Sequence, residues 1–228
     1  MKLAINLLTE NPRAPSGAQH FWQNLIAAII PHLDVGEEVL LVVSRESQKV
    51  YQHLLEPRVR AVCMPASNEN RLFRILTEHF WLPFLLKRMG VTVYSSGVAP
   101  LIPLRSMGLV CHIKTMHAYS TPKQIPLLTR VFRKAMYPRT LDDSDAVILN
   151  SESIRVEVNQ HLRPQADKLH LIYEAVDHDL FRVPHCEAQL ESDREYLAEF
   201  GISERYVLFL SSLWPYKNAE GLIRAFHL

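Results

Sequence analysis

The chain has 228 residues, of which 48% are apolar and 21% are charged, and its formal net charge is +1. This length suggests one or two globular domains with a sizeable buried core. A net charge so close to zero gives no general electrostatic attraction to nucleic acid, so no nucleic-acid partner is expected.

The three cysteines lie far apart in the sequence, which leaves neither a disulfide framework nor a CxxC metal site. Two of them, Cys63 and Cys111, lie in apolar runs and are expected to be buried. This cysteine usage is typical of a reducing compartment, so we expect a cytoplasmic protein. We expect no signal peptide and no transmembrane helix, because no apolar run reaches roughly 18 residues. Attachment to a membrane surface stays open.

Short apolar segments alternate with segments of helical periodicity along most of the chain. The predicted strands, in chain order, are KLAINLL, EEVLLVVS, RVRAVCMP, VTVYSS, GLVCHIKT, DAVILNS and KLHLIYE. Helical spacing is clear from Ala18 to Leu33 and again from Asn70 to Met89. Apolar strands separated by helices are typical of a parallel sheet that is covered on both faces. The predicted fold class is therefore α/β.

The sequence becomes polar and acidic after Glu174. One helix is predicted here from about Glu187 to Phe200, and Gly201 ends it. The apolar run YVLFLSS then predicts a strand, and Asn218 is a candidate cap for a final helix.

We interpret this pattern as two α/β domains, the second of them incomplete. The predicted parts are a domain at 1–174, a linker with a helix at 175–204, and a first strand and helix at 205–228. One strand and one helix cannot bury their own apolar faces. We therefore expect the chain to be a fragment or a truncated form.

Three positions have features suited to an anionic or sugar ligand. Ser16 and Gly17 precede the first long helix, whose N-terminus offers free N–H groups, although a plain helix cap explains them equally well. His117 follows a predicted central strand and could donate to a sugar hydroxyl or a phosphate oxygen, whereas His112 within that strand is expected to be structural. Lys217 precedes a predicted helix and could neutralise a leaving diphosphate; the alternative is a solvated loop lysine.

Five motifs follow one another in the order seen in the retaining glycosyltransferases of family 4, which have the GT-B fold with two Rossmann-like domains. These motifs are PSGAQHFWQNL, HIKTMHAYS, SDAVILNSESIR, KLHLIYEAVDHDLF and SSLWPYKNAEGLIRAF. The chain resembles this family over essentially its whole length. The resemblance implies a Rossmann-like N-terminal domain, with helices on both faces of its sheet, that binds the acceptor. It also implies a C-terminal domain that binds a nucleotide-sugar donor.

The resemblance further implies roles for individual residues. The implied residues are His117 as the catalytic residue, Gly17, Ser212 and Lys217 as donor-phosphate ligands, and Ser16, Asn150, Ser151 and Glu174 on the acceptor side. In this family the leaving phosphate is thought to help take the acceptor proton. The resemblance therefore implies no metal and no cofactor, with the nucleotide-sugar itself as a substrate.

The chain departs from the family pattern at several positions. Ala118 follows His117 where the family often has aspartate, and Glu174 and Ala175 replace the usual Asn-Gly. Ser212 stands where many members have arginine, although serine occurs at this position in some mannosyltransferase-like branches. The glutamate-containing donor motif does not occur in the sequence. We expect this 228-residue chain to be inactive alone.

The function implied by the resemblance is transfer of a hexosyl unit, a mannosyl unit being one candidate, from a nucleotide-sugar to a polysaccharide or glycolipid acceptor. The alternative is a non-catalytic glycan-binding or interaction module derived from such an enzyme. Two segments, RLFRILTEHFWLPFLLKRMG and TPKQIPLLTRVFRKAMYPR, combine basic with apolar residues. Such helices can lie on anionic membranes. The alternative is that their apolar faces pack on the sheet while the charges face water.

Overall fold

The computed structural model describes residues 1–10, 13, 17–67, 70–101, 106–178, 181, 183, 186–203, 205–211, 213 and 215–227. The chain divides into two compact units, Met1–Glu174 and Ala175–Leu228.

The first unit is built on a parallel β-sheet. Its strands are β1 (Lys2–Asn6), β2 (Glu38–Ser44), β3 (Val59–Met64), β4 (Val93–Ser96), β5 (Gly108–Ile113), β6 (Ala146–Leu149) and β7 (Leu169–Leu171). The seven strands lie in the order β3-β2-β1-β4-β5-β6-β7, and each neighbouring pair is parallel. The predicted fold class and the predicted strands of this unit are confirmed.

Helices connect the strands. The α-helices of this unit are α1 (Gly17–Ile29), α2 (Arg71–Leu76), α3 (Leu82–Arg88), α4 (His117–Ser120), α5 (Leu127–Asp143) and α6 (Glu152–Leu162). Shorter 3₁₀ helices are formed by Ile30–His32, Gln48–Leu54, Pro122–Gln124 and Ala166–Lys168. The segment from Asn70 to Met89, predicted as one helix, is interrupted by a π-helical turn at Thr77–Trp81. Pro83 follows this turn and has no N–H to donate to the preceding turn, which favours such an irregularity.

Both faces of the sheet are buried because consecutive strand residues point to opposite sides. Ala4 and Leu40 face the cluster that contains α3, whereas Ile5 and Leu41 face the cluster that contains α1. Strand β6 packs against α5 and α6 in a third cluster. This two-sided burial explains why the strands are apolar at nearly every position. The two edge strands, β3 and β7, are less buried, and Cys63 of β3 is exposed rather than buried as predicted.

The order of the strands reverses next to β1. The chain first builds β1, β2 and β3 outward, and β4 then pairs with the other side of β1. In doubly wound sheets of this kind, a crevice for ligands opens at the carboxyl ends of the strands beside the reversal.

The second unit contains α7 (Glu187–Glu199), a 3₁₀ helix (Pro215–Lys217) and α8 (Ala219–Phe226). The predicted helix from Glu187 is confirmed, and Gly201 follows it with φ +73°. The predicted strand YVLFLSS is wrong for its described residues 206–211, which form neither strand nor helix. A strand is held by hydrogen bonds to a neighbouring strand, and no described segment pairs with these residues. Asn218 precedes α8, but its side chain makes no capping hydrogen bond.

Candidate active site

A cavity of about 320 Å³ lies at the carboxyl ends of β1, β4 and β5 in the first unit. Residues from these strand ends, from α1, from α2 with its π-helical turn, and from α5 line it. The cavity therefore lies at the strand reversal, where ligands bind in doubly wound sheets. Its volume is sufficient for a small ligand.

Asn6, the last residue of β1, forms three hydrogen bonds along one wall of the cavity. Its side-chain oxygen accepts a hydrogen bond from the Leu8 N–H at 3.0 Å, and its amide nitrogen donates to Tyr94 Oη at 2.9 Å and to Glu78 Oε1 at 3.3 Å. Burial raises the pKa of the Glu78 carboxyl, and the Arg74 charge opposes this rise less strongly. Burial also raises the pKa of Tyr94 well above its ordinary value, so the phenol is neutral.

Helix α2 and the π-helical turn bring charged and polar side chains to the opposite wall. Asn70 caps α2 by accepting a hydrogen bond from the Phe73 N–H at 3.0 Å. One turn apart on this segment, an Arg74 guanidinium nitrogen lies 3.8 Å from Glu78 Oε1. Both side chains line the cavity, together with His79.

The protonation of His79 follows from its surroundings. Its Nδ1 accepts a hydrogen bond from the Leu101 N–H at 3.1 Å, so the neutral ring carries its proton on Nε2. Burial lowers the pKa of His79, and the charges of Arg139 and Arg74 lower it further. The ring is therefore neutral near pH 7. Its buried Nε2 has no hydrogen-bond partner among the described residues.

Two residues at the end of β5 form a third wall. His112 Nε2 lies 3.0 Å from Ser95 Oγ, and its ring packs edge-on against Trp22 at a centroid distance of 4.9 Å. Burial, with the Lys114 charge as the lesser cause, lowers the pKa of His112 to about 4. The Lys114 Nζ lies 3.1 Å from the centre of the Phe21 ring. His112 was predicted to be structural, and the structure places it in the cavity wall.

Lys114 also forms an ion pair with Glu174, the last residue of the first unit. Its Nζ lies 3.0 Å from Glu174 Oε1. Burial lowers the pKa of Lys114, and the hydrogen bond and charge of Glu174 oppose this shift. The structure thus brings one predicted acceptor-side residue, Glu174, to a side chain of the cavity wall.

His117 begins α4, just after the end of β5. It is half-buried between the fully buried Met116 and Ala118. Helix α5 holds the preceding loop, since Tyr137 Oη donates to the Thr115 carbonyl at 3.2 Å and Arg133 donates to Thr115 Oγ1 at 3.1 Å. His117 itself is not among the residues that line the cavity.

The other predicted site residues lie elsewhere. Gly17 is the exposed first residue of α1, whose residues Ala18 and Trp22 line the cavity. Asn150 follows β6, and Ser151 caps α6 by accepting a hydrogen bond from the Ile154 N–H at 3.2 Å.

The remaining predicted site residues are Lys217 and Ser212 on the donor side and Ser16 on the acceptor side. Lys217 is exposed and lies in the second unit. Ser16 and Ser212 lie outside the described residues. The roles predicted for all of these residues stay predictions.

Sequence reasoning missed the cavity residues of α2 and the π-helical turn: Arg71, Arg74, Glu78 and His79. The sequence carries two signals that could have indicated part of this wall. Arg74 and Glu78 have the i,i+4 spacing of a helical ion pair, and Lys114, in the neighbouring wall, lies at the end of the predicted strand GLVCHIKT.

Large apolar side chains are exposed beside the cavity. We call them the apolar surface; they are Leu72, Phe73, Leu76, Phe80, Trp81 and Phe84 between α2 and α3, and Leu127, Leu128 and Val131 of α5. The two segments meet where Arg71 donates to Thr129 Oγ1 at 3.2 Å. Other apolar side chains of the same helices, Leu82 and Leu86 of α3 and Leu141 of α5, pack in the clusters on the sheet, so the predicted alternative holds for part of each segment. Within the described part of the chain, no helix is long and apolar enough to cross a membrane.

A parallel sheet with its cavity at the strand reversal defines a doubly wound α/β domain. Residues 16–180 match the family described as Glycosyltransferase Family 4. The match covers most of the chain, and the chain belongs to that family. The predicted family is confirmed. A search of curated proteins found no match.

Solved structures agree on the fold. A glycosyltransferase from Rickettsia africae is 15% identical with a TM-score of 0.53 over 90% of this chain and 50% of its own. The Anabaena protein Alr3699/HepE, in complex with UDP and glucose, is 18% identical with a TM-score of 0.63 over 99% of this chain and 57% of its own. The same protein in complex with UDP-glucose is 16% identical with a TM-score of 0.58. This chain thus spans between 50% and 57% of the length of these structures.

Proposed function

We propose that the first unit is the acceptor-binding domain of a glycosyltransferase that moves a hexosyl unit from a nucleotide-sugar to a polysaccharide or glycolipid acceptor. The observation that carries this proposal is the cavity at the carboxyl ends of β1, β4 and β5, in a chain of this family. An acceptor in this cavity would lie next to the β5–α4 loop that carries His117.

A nucleotide-sugar donor is supported by the structural relatives. The Anabaena protein was solved with UDP and with UDP-glucose. We place the donor phosphates near Lys217 and the N-terminus of α8, because a cation beside a helix N-terminus stabilises negative charge on a leaving diphosphate. His117, in the first unit, would donate a hydrogen bond to a sugar hydroxyl.

A glycolipid acceptor is supported by the apolar surface. Exposed aromatic and aliphatic side chains next to a cavity suit an acceptor that is held at a membrane surface. The basic residues of the same helices, including Arg130 and Lys134, would face anionic lipid headgroups.

A transfer assay on the protein in its full natural length tests the proposal. A panel of nucleotide-sugars would be offered with polysaccharide acceptors and with glycolipid acceptors in anionic or neutral vesicles, and products would be identified by mass spectrometry. His117→Ala should slow transfer by about 100-fold, the effect of losing a well-placed polar catalytic group. Lys217→Ala should slow it by about tenfold or more, through loss of a charge contact.

Matched controls are available for both variants. The exposed residues His53 and Lys49 lie in the 3₁₀ segment Gln48–Leu54, away from the cavity, and alanine at either position should leave the rate unchanged. Membrane contact predicts that transfer in anionic vesicles weakens with added salt, because salt screens the headgroup charges. Saturable glycan binding without transfer from any donor would contradict the proposal in favour of a non-catalytic glycan-binding module.

A further inference from the structure

The cavity carries more positive than negative side chains. Its cations are Arg71, Arg74, Lys114 and Arg133, and its carboxyls are Glu10 and Glu78. These four cations face the two lining carboxyls and that of Glu174, which lies 3.0 Å from Lys114 Nζ, so a formal excess of one positive charge remains if all three carboxyls are ionised. Both histidines of the lining add no charge near pH 7, because their surroundings lower the pKa of each imidazole.

Two of these cations are not paired with carboxylates. Lys114 has Glu174 at 3.0 Å and Arg74 has Glu78 at 3.8 Å. Arg71 instead donates to Thr129 Oγ1 and Arg133 to Thr115 Oγ1, and neither forms an ion pair with a carboxylate of the described chain. Their charge is thus available to an anionic ligand.

The cavity wall also contains buried donors without acceptors. Arg74 Nε and His79 Nε2 are both buried, and within the described residues neither has a hydrogen-bond partner. Both atoms carry a hydrogen: the guanidinium is always protonated, and the His79 tautomer is set by the Leu101 N–H that its Nδ1 accepts. A buried donor left without an acceptor is costly. A ligand that brings acceptor oxygens would satisfy both donors.

We propose that the cavity binds a phosphate or diphosphate group of the acceptor, with Arg71, Arg74 and Arg133 as its cations and His79 as a neutral donor. This inference rests on the proposed function, because it names the substrate class of the acceptor site. Guanidinium groups match phosphate oxygens in a bidentate geometry.

The phosphate can come from a lipid carrier or from a soluble sugar phosphate. The apolar surface favours the lipid, since Arg71 and Thr129 bring the two apolar helices together at the cavity and both residues line it. A lipid phosphate in the cavity would extend its alkyl chain toward these exposed side chains.

Calorimetry on the purified protein tests the inference with three probes: inorganic pyrophosphate, a soluble hexose 1-phosphate, and a polyprenyl phosphate in neutral vesicles. We expect saturable binding of pyrophosphate and of at least one phosphorylated probe, and no comparable binding of the free hexose. Arg71→Gln and Arg133→Gln should each weaken pyrophosphate binding by about tenfold, as expected for loss of one charge-assisted contact. Arg71 is exposed, so its variant is expected to fold even if the Arg133 variant does not.

Arg60→Gln is the matched control, since it removes the same charge from β3 at the edge of the sheet, where Arg60 pairs with Glu38. If Arg60→Gln weakened pyrophosphate binding as much as Arg71→Gln, the binding would be nonspecific electrostatic attraction, and the inference would be overturned. A second measurement, the ¹⁵N signal of His79 Nε2, should shift with pyrophosphate, and an unchanged signal at saturation would also overturn it. Binding of only the polyprenyl phosphate or only the hexose 1-phosphate would support the phosphate site. It would also show whether the phosphate belongs to a lipid carrier or to a soluble sugar.

The outcomes separate this inference from the proposed function. Transfer to a neutral acceptor by a protein that binds none of the phosphate probes would overturn the inference and leave the glycosyltransferase proposal standing. Phosphate binding that depends on Arg71, in a protein that transfers no sugar, would support the site and contradict the proposed function alone.

Discussion

The two compact units of the chain differ in how they bury their residues. In Met1–Glu174, three apolar clusters cover both faces of the sheet with fully buried side chains. In Ala175–Leu228, none of the described residues is buried, and Leu210 and Leu213 are 87% and 84% exposed. Helices nevertheless form in both units. The helices of the first unit pack against the sheet and form a core with it, whereas those of the second unit have no buried residue among the described ones.

The same contrast applies to the helices themselves. Trp22 and Ile26 of α1 are buried against the sheet, whereas Ile223 and Phe226 lie three residues apart on α8 and are 59% and 67% exposed. Spacing of this kind makes an apolar face in both helices. The stability of α1 should therefore come from tertiary packing, whereas the exposed Glu220–Arg224 ion pair gives the short helix α8 only weak local support.

The largest expected effect comes from making a leucine-to-alanine substitution in each of the two units. Leu40→Ala removes a fully buried side chain of β2 and should lower the free energy of unfolding by about 3 kcal/mol, through lost burial and the cavity left behind. Leu210→Ala removes an exposed side chain and should change it by less than about 0.5 kcal/mol. Denaturant unfolding followed by circular dichroism measures both values. A comparable loss in the two variants would show that 205–211 is packed, contrary to the structure.

A second comparison uses pH. Folding lowers the pKa of His112 to about 4 through burial, from an ordinary value of about 6.5. A lowered histidine pKa favours the neutral ring in the folded state. The contribution of His112 to the free energy of unfolding is complete above about pH 6.5. It is lost as the pH falls toward 4, and the total loss is on the order of 3 kcal/mol at most.

The measurement for this prediction is the free energy of unfolding across that pH range. His112→Gln should remove this part of the acid destabilisation, because glutamine cannot take up the proton. His178→Gln, in the second unit, is the control and should leave the pH dependence unchanged, since His178 is exposed. Parallel pH curves for the wild-type protein and His112→Gln would contradict the assigned burial of His112.

The first unit could be predicted from the sequence because its strands are buried on both faces. The strands between Lys2 and Leu171 are mostly apolar, and helical or turn segments separate them. These local patterns are sufficient to predict a parallel sheet that is covered on both faces. The run at 206–211 has the same local pattern and forms no strand. Pairing is a long-range property, and no local pattern shows whether a partner is present.

The candidate site was predictable only in part. An α/β fold predicts that ligands bind at the carboxyl ends of the strands, and this prediction identified His117, which follows β5. The wall formed by Arg74, Glu78 and His79 was missed, because the segment was interpreted as one helix with a continuous apolar face. The π-helical turn at Thr77–Trp81 inserts an irregularity that breaks the 3.6-residue period. Which side chains then face the cavity depends on packing rather than on spacing.

The smallest expected effect concerns two helix ends with the same geometry. After α3, the Gly90 N–H donates to the Lys87 carbonyl and the Val91 N–H to the Leu86 carbonyl, each at 3.1 Å. After α7, Gly201 and Ile202 make the corresponding bonds to Ala198 and Leu197 at 2.9 and 3.1 Å. Both glycines have positive φ, +70° and +73°. These are two Schellman caps, one beside the buried core and one in a unit whose described residues are all exposed or half-buried.

Alanine at either glycine should meet no steric contact, because no atom lies within 4 Å of the added Cβ at either position. The cost is then the left-handed backbone alone, about 1 kcal/mol in each variant. Gly90→Ala should lower the free energy of unfolding of the first unit by this amount, since Leu86 and Val91 belong to its core. Gly201→Ala should leave that value unchanged and only speed amide exchange in the last turn of α7. Hydrogen exchange measured by NMR reports both effects at once. If Gly201→Ala also destabilised the core strands, the two units would unfold as one, and the contrast in burial would not reflect a contrast in stability.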